Sequence, residues 1–559
     1  MADSLTPLPR RLADEYVDAL VALDPITGTF LGDPDSSGRL PDFSPRGVEA
    51  EAELARRTLA RLDVAERLPG ADAEGERRCA RLLRERLTAE LAVAEAGEPL
   101  RAMSSLHSPV HSVRTIFPLT PTETEADWSA VAARLRAVPE ALAGYRESLA
   151  EGLARDLPAG PRQVRETLAL LDESLSAPGG WFAEFVAPGP EALREELTAS
   201  AGAANEALAE LRTWLREEYA PRVAGASDIA GRERYARWAR YWNGTDLDLD
   251  EAYAYGWSEF HRLRAEMVTE AEKILPGADP WAALRHLDTH GMVVEGVDEV
   301  RVWLQRMMDE AIEELDGTHF ELADRIKRVE ARIAPPGGPA APYYTSPSLD
   351  FSRPGRTWLP TMGETRFPVY DLVSTWYHEG VPGHHLQLAQ WVHVADELSR
   401  YQTTVGGVSA NMEGWALYAE RLMDELGYLT SAETRLGYLD CQMMRAVRVI
   451  IDIGMHLELT IPEDSPFRPG ERWTPELAET FFQRHSSRSP EFVASELVRY
   501  LGAPGQAIGY KLGERAWLRG REAARAARGA GFDAKKWHMA ALSLGSLGLD
   551  DLEAELAVL

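Results

Sequence analysis

Apolar positions recur at helical spacing through most of the first 330 residues. Between 48 and 95 the stripe reads Leu54, Leu59, Leu62, then Leu82, Leu83, Leu87 and Leu91, with Arg and Glu filling the intervening positions. Such a stripe is the core-facing side of an amphipathic helix. The same pattern predicts helices over 126–153, 161–176, 190–218, 249–274 and 296–315. Breaks fall at Pro158-Ala159-Gly160-Pro161, at Pro188-Gly189-Pro190 and, most heavily, at Pro335-Pro336-Gly337-Gly338-Pro339, because proline and glycine interrupt helices. No fixed-period repeat is visible, which argues against a solenoid. The texture changes over 341–370, where APYYTSPSLDFSRPGRTWLPTM predicts a few short strands. Helical spacing resumes near Asp371 and runs to the end. The expectation is a mainly α protein with a helical part over 1–334 and a second part, 335–559, holding the β element and the remaining helices. The run at 335–339 marks either a domain boundary or a surface loop within one continuous domain.

Composition narrows the function classes. With 45% hydrophobic and 27% charged residues over 559 positions, the chain is globular and long enough to bury a large core. Its formal charge of −29 repels phosphate backbones and anionic membranes, so neither nucleic acid nor a membrane is an expected partner. Two cysteines, Cys79 and Cys441, are too few for a disulfide framework or a thiolate zinc cluster. The first twenty residues contain no apolar signal core, and no apolar run reaches transmembrane length. A soluble cytoplasmic protein is expected.

The chemistry concentrates at Tyr377-His378-Glu379-Gly380-Val381-Pro382-Gly383-His384-His385. Two histidines with an adjacent glutamate on a helix form the zincin arrangement, in which imidazoles hold zinc and the carboxylate deprotonates water. The usual spacing is four residues, which keeps both imidazoles on one face. Here the fourth position is Pro382. A regular helix would leave His384 about 120° off the His378 face and bring His385 within about 20° of it. Pro382, however, cannot donate to the carbonyl of residue 378, and Gly383 permits an irregular turn. A two-residue bulge there would bring His384 under His378. The expected pair is therefore His378 and His384, with His385 as the alternative ligand.

A third ligand should be a carboxylate from another helix. Glu413 and Glu420 in NMEGWALYAE stand seven apart and so share a helix face. Glu413, beside the small Gly414, suits close approach to a metal, while Glu420 would stand behind and hold a ligand imidazole. Trp415, Leu417 and Leu422 surround the pair with apolar surface, so this helix should be buried.

Three further groups are candidates. Arg448, Asp452 and His456 stand at steps of four on an otherwise apolar segment, either lining a cleft or forming a buried ion-pair network; His456 could serve an oxyanion. Tyr510 follows Pro504-Gly505 and a small-residue stretch, and a phenol near zinc stabilises a tetrahedral intermediate. Arg499 and Lys511, with Arg448, could bind a substrate carboxylate. His107 and His111 flank Pro109 in what reads as a loop, and are expected to be structural or exposed.

HEGVPGHHLQ, EGWALYAE, RVIIDIGMH and PGQAIGYKLG resemble the successive signatures of bacterial domain-of-unknown-function family 885, across most of the chain. That family is similar to gluzincin peptidases, among them Taq-type carboxypeptidases and angiotensin-converting enzyme. The resemblance implies a large helical body with a central cleft, a small β-sheet beside the metal, and a His, His, Glu ligand set. Carried onto this chain, it implies His378, His384 and Glu413 as Zn2+ ligands and Glu379 as base. It also implies Tyr510 and His456 as oxyanion or substrate contacts. The expected function is a zinc-dependent hydrolase cleaving amide bonds of small peptides, a carboxypeptidase or oligopeptidase. The alternatives are a zinc amidohydrolase acting on a non-peptide metabolite, a non-haem iron oxygenase, or an inert metal-binding scaffold.

Overall fold

A computed structural model describes residues 7–104, 108–335 and 341–559. His107 and residues 336–339 of the Pro/Gly run fall outside them. The fold is mainly α. The expected helices are present as Glu125–Ala154, Pro161–Ser174, Arg194–Trp214, Leu249–Ile274 and Val297–Leu315, and the 48–95 stripe resolves into Pro45–Ala65 and Glu74–Glu95. His111 lies in a short helix, Pro109–Thr115, instead of the expected loop. Proline is tolerated at the first helical position, where its missing N–H would have no partner, and the Ser108 side chain caps that turn. Among the described residues no helix is long and apolar enough to cross a membrane.

The chain forms two compact units, one of residues 1–237 with 495–504 and one of 238–494 with 505–559. The division therefore does not fall at 335–339. The strand Val329–Ile333, before that run, pairs in parallel with Gly355–Leu359, after it, so both flanks belong to one sheet. In the first unit Thr124 and Asp127 form a reciprocal cap that opens the helix Glu125–Ala154. Its Val131, Leu135, Leu142 and Leu149 share a core with Leu197, Leu208 and Leu211 of Arg194–Trp214.

The second unit contains the small sheets. The predicted strands appear as Tyr343–Thr345, Gly355–Leu359 and Arg366–Pro368, and two that the sequence pattern did not announce join them, Val293–Glu295 and Val329–Ile333. Gly355–Leu359 is the centre of a three-stranded sheet, with Tyr343–Thr345 antiparallel on its other side. Two 26-residue helices, Leu249–Ile274 and Ala432–Leu457, pack lengthwise. The second is buried along most of its length, with Val447, Ile450 and Ile451 fully enclosed. Ser409–Glu425 and Gly509–Arg528 cross where two glycines meet: a Cβ on Gly414 would sit 2.4 Å from the Gly513 carbonyl carbon. That close crossing places Glu413 and Tyr510 in the same neighbourhood.

Candidate metal centre

His378 and Glu379 come from the last turn of the helix Val369–Glu379. A four-residue break with a cis Val381–Pro382 bond follows, and a new helix, His384–His393, begins at the second histidine. The sequence pattern suggested a bulge within one helix; the structure has two helices instead, because Gly383 turns its N–H back onto the Tyr377 carbonyl at 3.0 Å. A Cβ on Gly383 would stand 1.9 Å from the His378 carbonyl oxygen, so only glycine fits. Trp415, on the helix that carries Glu413, clamps the break: its indole N–H donates to the carbonyls of Pro382 at 2.9 Å and Gly383 at 3.1 Å.

The imidazole rings of His378 and His384 lie 4.7 Å apart at 86°. Glu413 Oε2 lies 3.3 Å from His378 Nε2 and 3.5 Å from His384 Nε2. One ligand atom from each of the three residues falls within 4.8 Å of the others. Zinc bonds of about 2.0–2.1 Å at tetrahedral angles separate ligand atoms by roughly 3.3–3.4 Å, so the donors are spaced for such an ion. Among the described residues Glu413 Oε2, a buried atom, has no donor in hydrogen-bonding geometry, an arrangement that a cation would satisfy. The donor set, two imidazoles and a carboxylate, suits zinc.

Glu420 stands behind His378. It accepts from His378 Nδ1 at 2.8 Å and from the Ser374 hydroxyl at 2.5 Å, with Arg445 3.7 Å away. Burial disfavours a charged His378, but its contacts with Glu413 and Glu420 prevail and push the ring up to about 9. Burial likewise opposes the charge on Glu413, and the two imidazoles hold its carboxyl well below the usual range. The Glu379 carboxyl is pushed up by burial, against the pull of His384 and His378.

These groups open onto a cavity of about 670 Å3, lined among others by His378, Glu379, His384, Glu413, Arg448 and Tyr510. The Tyr510 ring lies nearly parallel to that of His378, 6.3 Å away, and the Arg448 guanidinium sits 4.7 Å from the Tyr510 ring. Apolar walls come from Leu372, Leu388, Met412, Met444 and Phe492.

Four candidates lie elsewhere. His385 is fully enclosed, with Nε2 on the Ile326 carbonyl at 2.7 Å and Nδ1 on the Tyr344 hydroxyl at 2.9 Å. Burial lowers its pKa to about 4, and with both nitrogens engaged it is no ligand. It fastens the small sheet to the second motif helix instead. His456 is completely buried 3.6 Å from Asp452, outside the cavity lining, so the expected oxyanion contact has no geometric basis. Lys511 is also completely buried, its ammonium on Glu514, Gln442 and Glu259 at 2.5, 2.7 and 3.1 Å; these internal partners remove it from substrate binding. Arg499 belongs to the first unit, paired with Glu496 at 2.7 Å, and does not line the cavity. Conversely, Arg445, Arg488 and Tyr344 line it without having been singled out. Arg445 shares a face with Arg448 and could have been found from that spacing, whereas Arg488 sits in a Ser-rich loop with no local signal.

A mainly helical chain with a partly buried His–His–Glu cluster open to a cavity is the class that fold and site define. The chain belongs to the DUF885 family, described as bacterial protein of unknown function, whose model matches residues 25–556. Among curated proteins no sequence matches. Two solved structures share the fold over 98% of this chain and 98% of their own. One is a candidate lipoprotein from Colwellia psychrerythraea, at TM-score 0.83 and 21% identity. The other is a candidate lipoprotein of unknown function from Shewanella oneidensis, at TM-score 0.75 and 17% identity.

Proposed function

We propose that the protein is a zinc-dependent hydrolase cleaving amide bonds of small peptides. The observation that carries this reading is the convergence of His378, His384 and Glu413 on one point, with Glu379 on the same cavity wall. His378, His384 and Glu413 would hold a zinc ion, which when bound would supply a Lewis acid for a carbonyl and lower the pKa of water. Glu379 takes a proton from water at its carboxylate and passes it to the leaving amine, a role favoured by its burial-raised pKa. Tyr510 offers its hydroxyl to the developing oxyanion. Glu420 keeps the His378 ring turned so that Nε2, not Nδ1, faces Glu413. A cavity of about 670 Å3 suits a short peptide or similar small molecule.

Metal analysis of protein purified without added metal, with mass spectrometry of a defined peptide pool before and after chelation, tests the proposal. The expected result is zinc near one equivalent and peptide loss that stops with chelator. Turnover confined to non-peptide amides would move the assignment to an amidohydrolase; iron in place of zinc would move it to oxygenase chemistry. The proposed compartment is the cytoplasm, where a buried thiol such as that of Cys441 stays reduced. Recovery in the membrane fraction of fractionated cells would overturn that.

A further inference from the structure

The four-residue histidine step that Pro382 interrupts in the metal motif is present intact elsewhere in the second unit. His286 and His290 end the 11-residue helix Pro280–His290, outside the lining of the cavity. Their imidazole rings stand face to face, with centroids 4.2 Å apart and planes 6° from parallel. His290 is exposed and His286 half-buried. The His290 ring is held in one tautomer. Its Nδ1 lies 3.2 Å from the His286 carbonyl oxygen and 2.7 Å from the Thr289 hydroxyl. That carbonyl can only accept, and the Thr289 hydroxyl itself donates to it at 3.2 Å. The proton therefore sits on Nδ1, and Nε2 keeps its lone pair. A metal-binding imidazole is ordinarily fixed in this way, by donating its other nitrogen to a carbonyl. Among the described residues neither nitrogen of His286 nor Nε2 of His290 has a hydrogen-bond partner.

The surroundings favour a cation. Both residues lie in the last five positions of the helix, where the final carbonyls leave partial negative charge. Asp288, between them, is turned away: its Oδ1 accepts from the Tyr370 hydroxyl at 2.6 Å and its carbonyl accepts from the Arg366 guanidinium. Glu295, 3.4 Å from that guanidinium, offsets its charge. The Gly291 N–H returns to the Leu287 carbonyl at 2.9 Å. These bonds hold the backbone beneath both rings, so little order is lost when a ligand binds. The His286 ring has only to turn about its last torsion, which is broad for an imidazole, to aim a nitrogen at an ion on His290 Nε2.

We infer that His286 and His290 form a second metal site, a two-imidazole chelate for a borderline divalent transition ion of the Ni2+, Cu2+ or Zn2+ kind. Imidazole nitrogen suits these ions, whereas Mg2+ and Ca2+ take oxygen ligands. Water completes the coordination. With two protein donors against three at the candidate centre, this site fills second, and it stands whether or not the protein is a hydrolase.

Calorimetric titration of the full-length protein, loaded beforehand with one equivalent of zinc, tests the site with Ni2+ as the probe. A fluorescent zinc indicator in a parallel titration reports any zinc set free. The expected result is one equivalent of bound nickel without zinc release, and no binding of Mg2+. His286→Asn and His290→Asn should each weaken nickel binding by at least about 10-fold, the lower end of what removing even a supporting group costs a metal site. Thermal unfolding reports that both variants fold. Nickel that binds only as zinc leaves overturns the site, because the ion has then entered the His378 centre. Undiminished binding in either folded variant overturns it too, since a chelate needs both rings, and so does a wild-type chain that takes up no nickel.

Discussion

Glu420 accepts a hydrogen bond from His378 Nδ1 at 2.8 Å, fixing the tautomer that leaves Nε2 as a metal donor 3.3 Å from Glu413. Carboxylates that orient ligand imidazoles typically contribute 10–100-fold in metal affinity. Glu420→Gln keeps the side-chain volume but removes the charge, and should weaken zinc binding by about that factor, read by competition with a fluorescent chelator. Unchanged affinity would show that the ring is held by packing alone.

Glu379 stands next to His378 without joining the cluster, since the converging atoms come from His378, His384 and Glu413. Glu379→Gln should therefore retain zinc at wild-type stoichiometry while hydrolysis falls by about 10²–10⁴-fold, the usual contribution of a general base. Wild-type rates in the zinc-loaded variant would remove Glu379 from the mechanism. By contrast, His378→Ala should lose metal outright, and unchanged metal content would take it off the ligand list.

Spacing along the chain made part of this site readable and hid the rest. The seven-residue step from Glu413 to Glu420 predicts a shared face, and that face does meet His378 with both carboxylates. The choice between His384 and His385 depended on how Pro382 and Gly383 route the chain, which Trp415 settles from a helix 32 residues further on. Lys511 and His456 illustrate the limit. Spacing places His456 on a polar stripe and charge alone makes Lys511 a candidate, but a polar residue facing a cavity and one facing buried partners read alike, and the partners of Lys511 include Glu259, more than 250 residues away in the chain. Of the stripe Arg448, Asp452, His456, the first lines the cavity and the other two are buried. The helices were legible for the opposite reason, because their period of 3.6 is local.

Two glycines should respond to alanine in opposite directions. At Gly383 the added methyl would meet the His378 and Tyr377 carbonyl oxygens at 1.9 and 2.4 Å, forcing the break open. Overpacking of this kind costs about 1–3 kcal/mol, and zinc affinity should fall with it because His384 is displaced. At Gly202, in the middle of Arg194–Trp214, nothing lies within 4 Å of the added methyl. Gly202→Ala should therefore stabilise the protein by about 0.5–1 kcal/mol through helix propensity. Denaturant titration of both variants checks the signs, and a destabilised Gly202→Ala or a neutral Gly383→Ala would contradict the packing described.

Acid should weaken the fold through His485, a residue remote in sequence from the metal motif. Its ring sits among Phe260, Trp281 and Phe481 at centroid distances of 5.0, 5.1 and 4.4 Å, with Nδ1 on the Phe481 carbonyl at 2.9 Å. Burial in this aromatic box lowers its pKa to about 4, against about 6.5 in an unfolded chain. Between those values the unfolded chain takes up a proton that the folded one refuses. Stability from this residue is thus intact above about pH 6.5 and falls as the pH drops toward 4, by roughly 2–3 kcal/mol in all. His485→Gln, which has no titrating ring, should be less stable than wild type at pH 7.5 and close the gap as the pH approaches 4. Unfolding free energies at several pH values give the difference curve. A constant offset between the two proteins across that window would mean the ring is already charged, or solvated, in the folded state.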